Sequence, residues 1–365
     1  MHVVPLYGPA APVACDARRG LSAPGGYQGW TFEAEDRSGT WQLSASFFEG
    51  FPLHPQYLRK YEAYLRSPTR LAPPMPREFP CVVVSLYGNR RTVAQFLCWS
   101  RPEDCRFSPD RLDVRIGASH FCRQGDGSIH LGLRGTPWGM TLLGPRPIDS
   151  QQVTANLVFR PEFAHSCVEQ TLAERKPDGE SAGFEHRWMV ADAYCHVQGT
   201  IRFYGRGGII DSQAVPFTGR GSHERAFGSA PLSTAFRRYL RARVMLNGRA
   251  TFVHVIKSPD VRAEDRVQLV AADSSRFEVV QAAGEVHDWR YATGYRIRYP
   301  SKIDLGPRLR LSEPHLVAST PISARVEYRA IALGSEGTAS CDVLFPHRAS
   351  RPGLSWLLQS TIQNH

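Results

Sequence analysis

Ala324-Arg325-Val326-Glu327-Tyr328-Arg329-Ala330 alternates apolar and charged residues without a break, and Tyr295-Arg296-Ile297-Arg298-Tyr299 does the same. Successive side chains of a β-strand point to opposite faces, so each segment offers one face to a core and one to water. Arg241-Ala242-Arg243 carries the same pattern, and its arginines read as a solvent face. Short apolar runs recur on either side, among them 41–48, 81–87, 92–99, 129–133, 139–143, 153–159, 187–190, 199–204, 251–256, 267–271 and 340–345. Gly88-Asn89 and Asp126-Gly127 supply hairpin-turn chemistry between neighbouring runs. Many short strands at regular spacing predict an all-β protein built of antiparallel barrels or sandwiches. The content of 31 Gly and 27 Pro agrees with a chain rich in turns.

At 365 residues the chain is long enough for two domains. Residues 1–24 show no periodicity and read as an extended lead-in. Residues 25–175 form the expected first domain. The polar stretch 170–185, holding Pro177, Gly179 and Gly183, is the candidate boundary. Residues 186–347 form the expected second domain, and 348–365 a C-terminal helix. In that helix Pro352 stands near the start, and Leu354, Leu357, Leu358 and Ile362 follow at helical spacing. A second short helix is expected over Leu232–Leu240.

The net charge of +10 is carried by dispersed arginines, with lysine only at Lys60, Lys176, Lys257 and Lys302. A nucleic-acid footprint would be a clustered basic patch interleaved with aromatics, so a nucleic-acid partner is not expected. The eight cysteines show no Cys-x-x-Cys spacing, which argues against a structural zinc site or a thioredoxin-type pair. They read as small buried hydrophobes in a reducing compartment. The amino terminus lacks the basic and apolar regions of a signal peptide, and no apolar run approaches the ~18 residues of a spanning helix. A cytoplasmic protein is expected, with a basic surface able to touch anionic lipid.

No Gly-x-Ser-x-Gly elbow, P-loop or His-Glu-x-x-His occurs. The chemistry then rests on polar residues inside apolar contexts. Glu33 follows Trp30-Thr31-Phe32, and Glu49 follows Phe47-Phe48. His186 and Trp188 are two apart and share a strand face. In Ser222-His223-Glu224-Arg225, Ser222 and Glu224 share one face while His223 and Arg225 take the other. A carboxyl group among apolar side chains has its charged form disfavoured and can hold a proton for delivery to an alkene or carbonyl. An aromatic wall such as Trp30 or Trp188 can stabilise the resulting cation. Each residue also has a plainer reading: Glu33 as a surface residue paired with arginine, His186 and His223 as hydrogen-bonded structural histidines, Trp30 and Trp188 as core.

At these residues the chain resembles the carotenoid 1,2-hydratase (hydroxyneurosporene synthase) superfamily and its lipocalin-like relatives, which include Diels–Alderases of polyketide biosynthesis. The family's opening Tyr-x-Trp-Trp-Tyr-Phe-Asp-Ala is matched by Tyr27-Gln28-Gly29-Trp30-Thr31-Phe32-Glu33-Ala34. Its His-x-Trp pair is matched by His186 and Trp188. Its Gly-Tyr-x-Asp segment ahead of Trp-Gly is matched by Gly221-Ser222-His223-Glu224, with Phe227-Gly228 following. The resemblance covers about residues 26–345. It implies two lipocalin-like antiparallel β-barrel domains, no metal and no redox cofactor. It also implies Glu224 in place of the family's proton-donating Asp. Ser222 for Tyr, Glu224 for Asp, Glu33 for Asp and Gly29 for Trp are departures that point away from strict carotenoid hydration.

Two classes of function follow. In the first, a lyase or isomerase/cyclase takes a hydrophobic, unsaturated small molecule of secondary metabolism through acid-assisted hydration, isomerisation or cyclisation. Glu224 is then the expected proton donor, Glu33 the second candidate, and His186 and His223 orient or relay protons. Trp30, Phe32, Trp188, Ser222 and Phe227 contact substrate. A pericyclase acting mainly by positioning belongs to this class and needs less of these residues. In the second, the same fold is a noncatalytic carrier of a hydrophobic ligand.

Overall fold

The computed structural model describes residues 18–364, apart from 142–143, 148–150, 163–167, 176–182, 206–207, 247, 261–264, 273–276, 282–283, 292–294, 333 and 352–361. The fold is all-β, of two curled, lipocalin-like antiparallel sheets with few short helices. The described residues separate into two compact units, 18–231 with 362–364, and 232–351. The division therefore falls at Pro231/Leu232, not in the polar stretch at 170–185. The expected lead-in at 1–24 lies mostly outside the described residues.

The first unit contains β1 (Tyr27–Asp36), β2 (Trp41–Glu49), β3 (Cys81–Gly88), β4 (Arg91–Trp99), β5 (Cys105–Phe107), β6 (Asp113–Ile116) and β7 (Ser119–Arg123). It continues through β8 (Ile129–Gly135), β9 (Trp138–Thr141), β10 (Gly144–Pro147), β11 (Gln152–Pro161), β12 (Val168–Arg175), β13 (Phe184–Gly205) and β14 (Gly208–Gly228). Its main sheet runs β4-β3-β2-β1-β14-β13-β11-β8-β7-β6-β5, with β12 also on β13. The expected boundary failed for a physical reason. Strand β12 occupies 168–175 and pairs with β13 from Val168↔Val190 to Arg175↔Phe184, so the His186 segment belongs to the first unit. The runs expected at 187–190 and 199–204 are two ends of the one long strand β13.

Asn89 and Arg90 take positive φ (49° and 60°) at the β3–β4 turn, as a tight hairpin requires. One helix was not legible in the apolar pattern: α1 (Pro55–Arg66), capped by His54, whose Nδ1 accepts from the amides of Gln56 and Tyr57 at 3.2 and 3.4 Å. It buries Tyr57, which donates to the Gly26 carbonyl at 2.6 Å and ties the helix to the start of β1.

The second unit contains β15 (Arg238–Leu246), β16 (Arg249–Lys257), β17 (Arg266–Ala272), β18 (Phe277–Gln281), β19 (Glu285–Tyr291), β20 (Arg298–Asp304), β21 (Arg310–Ser319), β22 (Ser323–Ala332) and β23 (Ser335–Leu344). They form a sheet in the order β18-β17-β16-β15-β23-β22-β21-β20-β19. The expected helix at Leu232–Leu240 is a single turn, α2 (Leu232–Ala235), because β15 begins at Arg238. The expected C-terminal helix falls largely outside the described residues. Ile362–Asn364 is a short strand, β24, which pairs in parallel with β4 of the first unit.

Alternation decides both cores. Trp30, Phe32 and Ala34 of β1 join Phe47, Phe121, Leu157, Phe159, Val197 and others in one buried cluster. Ala324, Val326, Tyr328 and Ala330 of β22 join Leu240, Val253, Leu269 and Val343 in the other. The opposite face of the second sheet is wet in part, as its arginines predict at Arg296, Arg298 and Arg329, but it is covered along β15–β17 and the first half of β22. Arg243 is 7% exposed, Arg325 3% and Glu327 4%, and His254 and Gln268 are buried with them. Arg241 and Arg325 meet Asp342 at 3.1 and 2.7 Å. Among the described residues no helix is long and apolar enough to cross a membrane.

Phe121 lies with its ring centroid 4.9 Å from both Phe32 and Phe47 and 5.9 Å from Trp30. Phe121→Ala should lower stability by about 3–5 kcal/mol, since a buried aromatic is lost and a cavity left. Urea unfolding of wild type and variant measures this, and a loss below ~1 kcal/mol would mean this ring cluster is not tightly packed.

Candidate functional site

Strand β14 lies between β1 and β13, and its register places every expected site residue. Thr31, Glu224 and Val190 are opposite one another across the three strands, as are Gly29, Ala226 and Trp188. Glu33 faces Ser222 on one side and Ser44 of β2 on the other. Side chains of alternate residues share a face. Tyr27, Thr31, Glu33, Ser44, His186, Trp188, Ser222 and Glu224 therefore project from one side of the sheet. Trp30, Phe32, His223, Arg225 and Phe227 project from the other, where the apolar cluster lies.

The first face is polar and yet buried. Glu33 is 1% exposed, Glu224 1%, Trp188 2%, and Ser222 and His186 0%. The Trp188 indole N–H donates to Glu224 Oε2 at 2.9 Å, and Ser222 Oγ donates to Glu224 Oε1 at 3.4 Å. Both carboxyl oxygens thus have a partner from their own sheet. Ser44 Oγ donates to Glu33 Oε1 at 2.7 Å. His186 Nδ1 lies 3.2 Å from Tyr27 Oη. Burial pushes the His186 imidazole down to about 3, so it is neutral over the physiological range. A Cβ on Gly221 would meet the Glu33 carbonyl oxygen at 2.4 Å, so glycine there lets β14 press against β1 beside Ser222.

The core-side face carries two buried charge networks. His223 stacks on Phe32, with centroids 4.5 Å apart and planes 4° from parallel. His223 Nδ1 is 3.2 Å from Asp192 Oδ2, and Arg123 Nη2 donates to the same oxygen at 2.5 Å. Burial would raise the Asp192 carboxyl, but the His223 hydrogen bond and the Arg123 charge outweigh it and hold the group below its usual value. Arg225, 1% exposed, sits 5.4 Å from the Trp30 ring centroid and donates to Gln28 Oε1 at 2.5 Å. Gln28 donates to Glu49 Oε2 at 2.7 Å, and Arg18 grips Glu49 through Nε and Nη2 at 2.9 and 2.5 Å.

The structure therefore brings together Trp188, Ser222 and Glu224, places Glu33 and His186 on the same face but toward opposite ends of it, and separates these five by the thickness of the sheet from Trp30, Phe32, His223 and Phe227. Asp192 and Arg123 were not singled out from sequence, and Tyr27 and Gln28 stood in the opening motif without an assigned role. Asp192 left a trace, as the one charge in Trp188-Met-Val-Ala-Asp-Ala193. Arg123 left none, because its partner is 69 residues away. Among the described residues no three His, Cys, Asp or Glu side chains stand close enough to hold a metal ion.

No protein-family model matches the sequence. The chain is 24% identical over 268 residues to a hydroxyneurosporene dehydrogenase of Chlorobaculum tepidum, covering 72% of this chain and 66%, just under two thirds, of that relative. Its fold superposes on the crystal structure of an AttH protein of Nitrosomonas europaea with a TM-score of 0.61 and 14% identity, over 93% of this chain and 98% of that one. The chain is therefore similar in sequence to the first and in fold to the second. Kievitone hydratase of Nectria haematococca, another solved structure, matches this chain with a TM-score of 0.49 and 9% identity over 89% of this chain and 90% of that one.

The neutral, buried His186 makes a test of the geometry of this lipocalin-like sheet. Unfolded, the imidazole binds a proton below about pH 6.5; folded, it does so only near pH 3. The unfolded state thus holds more protons in that window, so stability is lost as pH falls through it and is fully present above it. His186→Gln should flatten unfolding free energy against pH by up to ~1.4 kcal/mol per pH unit between 4 and 6. Chemical denaturation across that range measures it. An unchanged slope would mean that His186 is reached by solvent.

Proposed function

We propose that this protein is a cofactor-independent enzyme acting on an apolar, unsaturated small molecule (a polyene, isoprenoid or polyketide) by acid-assisted hydration, isomerisation or cyclisation. The observation that carries the reading is the Trp188–Glu224 pair. A buried carboxyl group lies against an indole, on a sheet face that also holds Ser222, Glu33 and a neutral histidine. A carboxyl O–H there can deliver its proton to an alkene carbon, forming a C–H bond and a carbocation. The face of an aromatic ring such as Trp188 stabilises that cation. Water adding to the cation, proton loss from an adjacent carbon, or attack by a second alkene then completes the reaction. In each case a proton returns to a carboxylate.

Glu224 is the proton donor in this reading, with Glu33, held by Ser44, as a second carboxyl on the same face. His186 is uncharged at neutral pH and serves as a hydrogen-bonding partner that orients its neighbours, not as an acid. Ser222 orients Glu224. Trp30, Phe32, His223 and Phe227 act from behind the sheet. The substrate class is supported by the Chlorobaculum tepidum relative, whose name refers to hydroxyneurosporene. The six described cysteines are all free thiols, which fits a reducing cytoplasm. The expected partner is the small molecule alone, with neither metal nor nucleic acid, and the basic surface is suited to brief contact with anionic lipid when the substrate is collected.

Incubation with acyclic polyenes and isoprenoids, followed by mass spectrometry, should reveal a product with added water, or an isomer of unchanged mass. Glu224→Gln should fold normally and lower turnover ~10²-fold or more, the scale of a lost general acid. Full activity in the Glu224→Gln, Glu33→Gln double variant would sink the proton-transfer mechanism and leave substrate positioning of the Diels–Alderase kind. A lipophile bound stoichiometrically but never converted would identify a carrier.

A further inference from the structure

Glu224 is bracketed in sequence by two buried side chains of the opposite face, His223 and Arg225, and the strand facing it is irregular at that very point. Trp188 and Val190 of β13 share the face of Glu224, and a regular strand would put Asp192 there too. The β13–β14 register instead shifts between Val190, opposite Glu224, and Asp192, opposite His223, and again between Asp192 and Cys195. An extra residue of this kind re-aims the side chains beyond it. Here it turns Asp192 through the sheet to the core side, against His223 and Arg123. Arg123 comes from β7, which is not a neighbour of β13 in the sheet, so the pin spans the curl of the sheet rather than one ladder.

We infer that Asp192, with His223 and Arg123, is a positioning cluster for Glu224. The buried ion pair locks the bulge, and the bulge sets the register in which the Trp188 indole meets the Glu224 carboxyl. Apolar residues could fill the same space without the cost of desolvating a carboxylate and a guanidinium. What a charged, hydrogen-bonded cluster adds is a unique geometry, because each partner is strongly penalised if the other moves away. Arg225 donates to Gln28 of β1, which in turn donates to Glu49 of β2, and so pins the other side of Glu224. A carboxyl group required to protonate one carbon of a flexible chain needs this definition, since misplacement of a reacting group by about 1 Å can cost ~10²-fold in rate. The inference rests on the reading of Glu224 as the reacting acid for its purpose, but not for its geometry.

The experiment is therefore built on a signal that needs no substrate. The fluorescence of Trp188 is isolated as the difference between wild type and Trp188→Phe. The change caused by Glu224→Gln, measured in the same way, defines loss of the indole–carboxylate contact. Asp192→Asn should fold and show most of that change. Should it fail to fold, Arg123→Gln, at a side chain 12% exposed, carries the same expectation, and Arg123→Lys should restore the wild-type signal. Leu157→Ala, in the same core cluster but away from the pin, should lose stability and keep the signal. A folded Asp192→Asn or Arg123→Gln with a wild-type Trp188 signal overturns the proposal. So does a Leu157→Ala variant that loses it, since general loosening would then explain the effect. Turnover, once a substrate is found, is a separate arm. Glu224→Gln failing to slow it rejects the acid mechanism and leaves the positioning result standing.

Discussion

Antiparallel pairing of β14 between β1 and β13 is the constraint on which the rest depends. Hydrogen bonds on both edges hold Thr31, Glu224 and Val190 in one line, and the pleat then assigns each neighbouring side chain to a face. A slip of one residue would carry Glu224 and Ser222 into the aromatic cluster of Phe32, Phe47 and Phe121. It would put His223 and Arg225 in their place. Two networks of buried charge and a close approach at Gly221 oppose that slip, so the register is defined by more than the ladder itself.

Both faces of this sheet are buried, and they are buried differently. One is the familiar apolar interior, into which two polar networks intrude, Asp192 with Arg123 and His223, and Arg225 with Gln28 and Glu49. The other holds two carboxyl groups, an indole, a serine and a neutral histidine. Taking such groups from water is costly unless each finds a partner. Trp188 and Ser222 serve Glu224, Ser44 serves Glu33, and Tyr27 serves His186. The second unit repeats the pattern independently, with an apolar cluster on one face of its sheet and Arg243, His254, Gln268, Arg325 and Glu327 buried on the other.

The separation of the sequence motif into two faces also redistributes roles. His223 and Glu224 are neighbours in the chain, yet the strand sends them to opposite sides. Phe32 and Glu33 are divided in the same way. A histidine stacked on Phe32 and bonded to a carboxylate on the far side of the sheet cannot share a proton directly with Glu224. Its influence passes through the backbone it anchors.

Local periodicity was enough to foresee an all-β chain, most strand positions, the Asn89 hairpin and the split of Ser222 and Glu224 from His223 and Arg225, because a two-residue repeat is written in adjacent side chains. Of the residues named in the motifs around Trp30, His186 and Glu224, the register puts Glu33, His186, Trp188, Ser222 and Glu224 on one face and Trp30, Phe32, His223 and Phe227 on the other. Four things were decided only by tertiary structure. The unit boundary fell at Pro231 because β12 found a partner in β13, and pairing between distant segments leaves no mark on either one. Arg243 and Arg325 are buried although their alternation reads as a wet face, since alternation tells faces apart but not what covers them. Helix α1 depends on a histidine cap and on tertiary burial of Tyr57. And Asp192 reaches His223 because a bulge, invisible in residue order, turns the strand by one residue and brings in Arg123 from across the sheet.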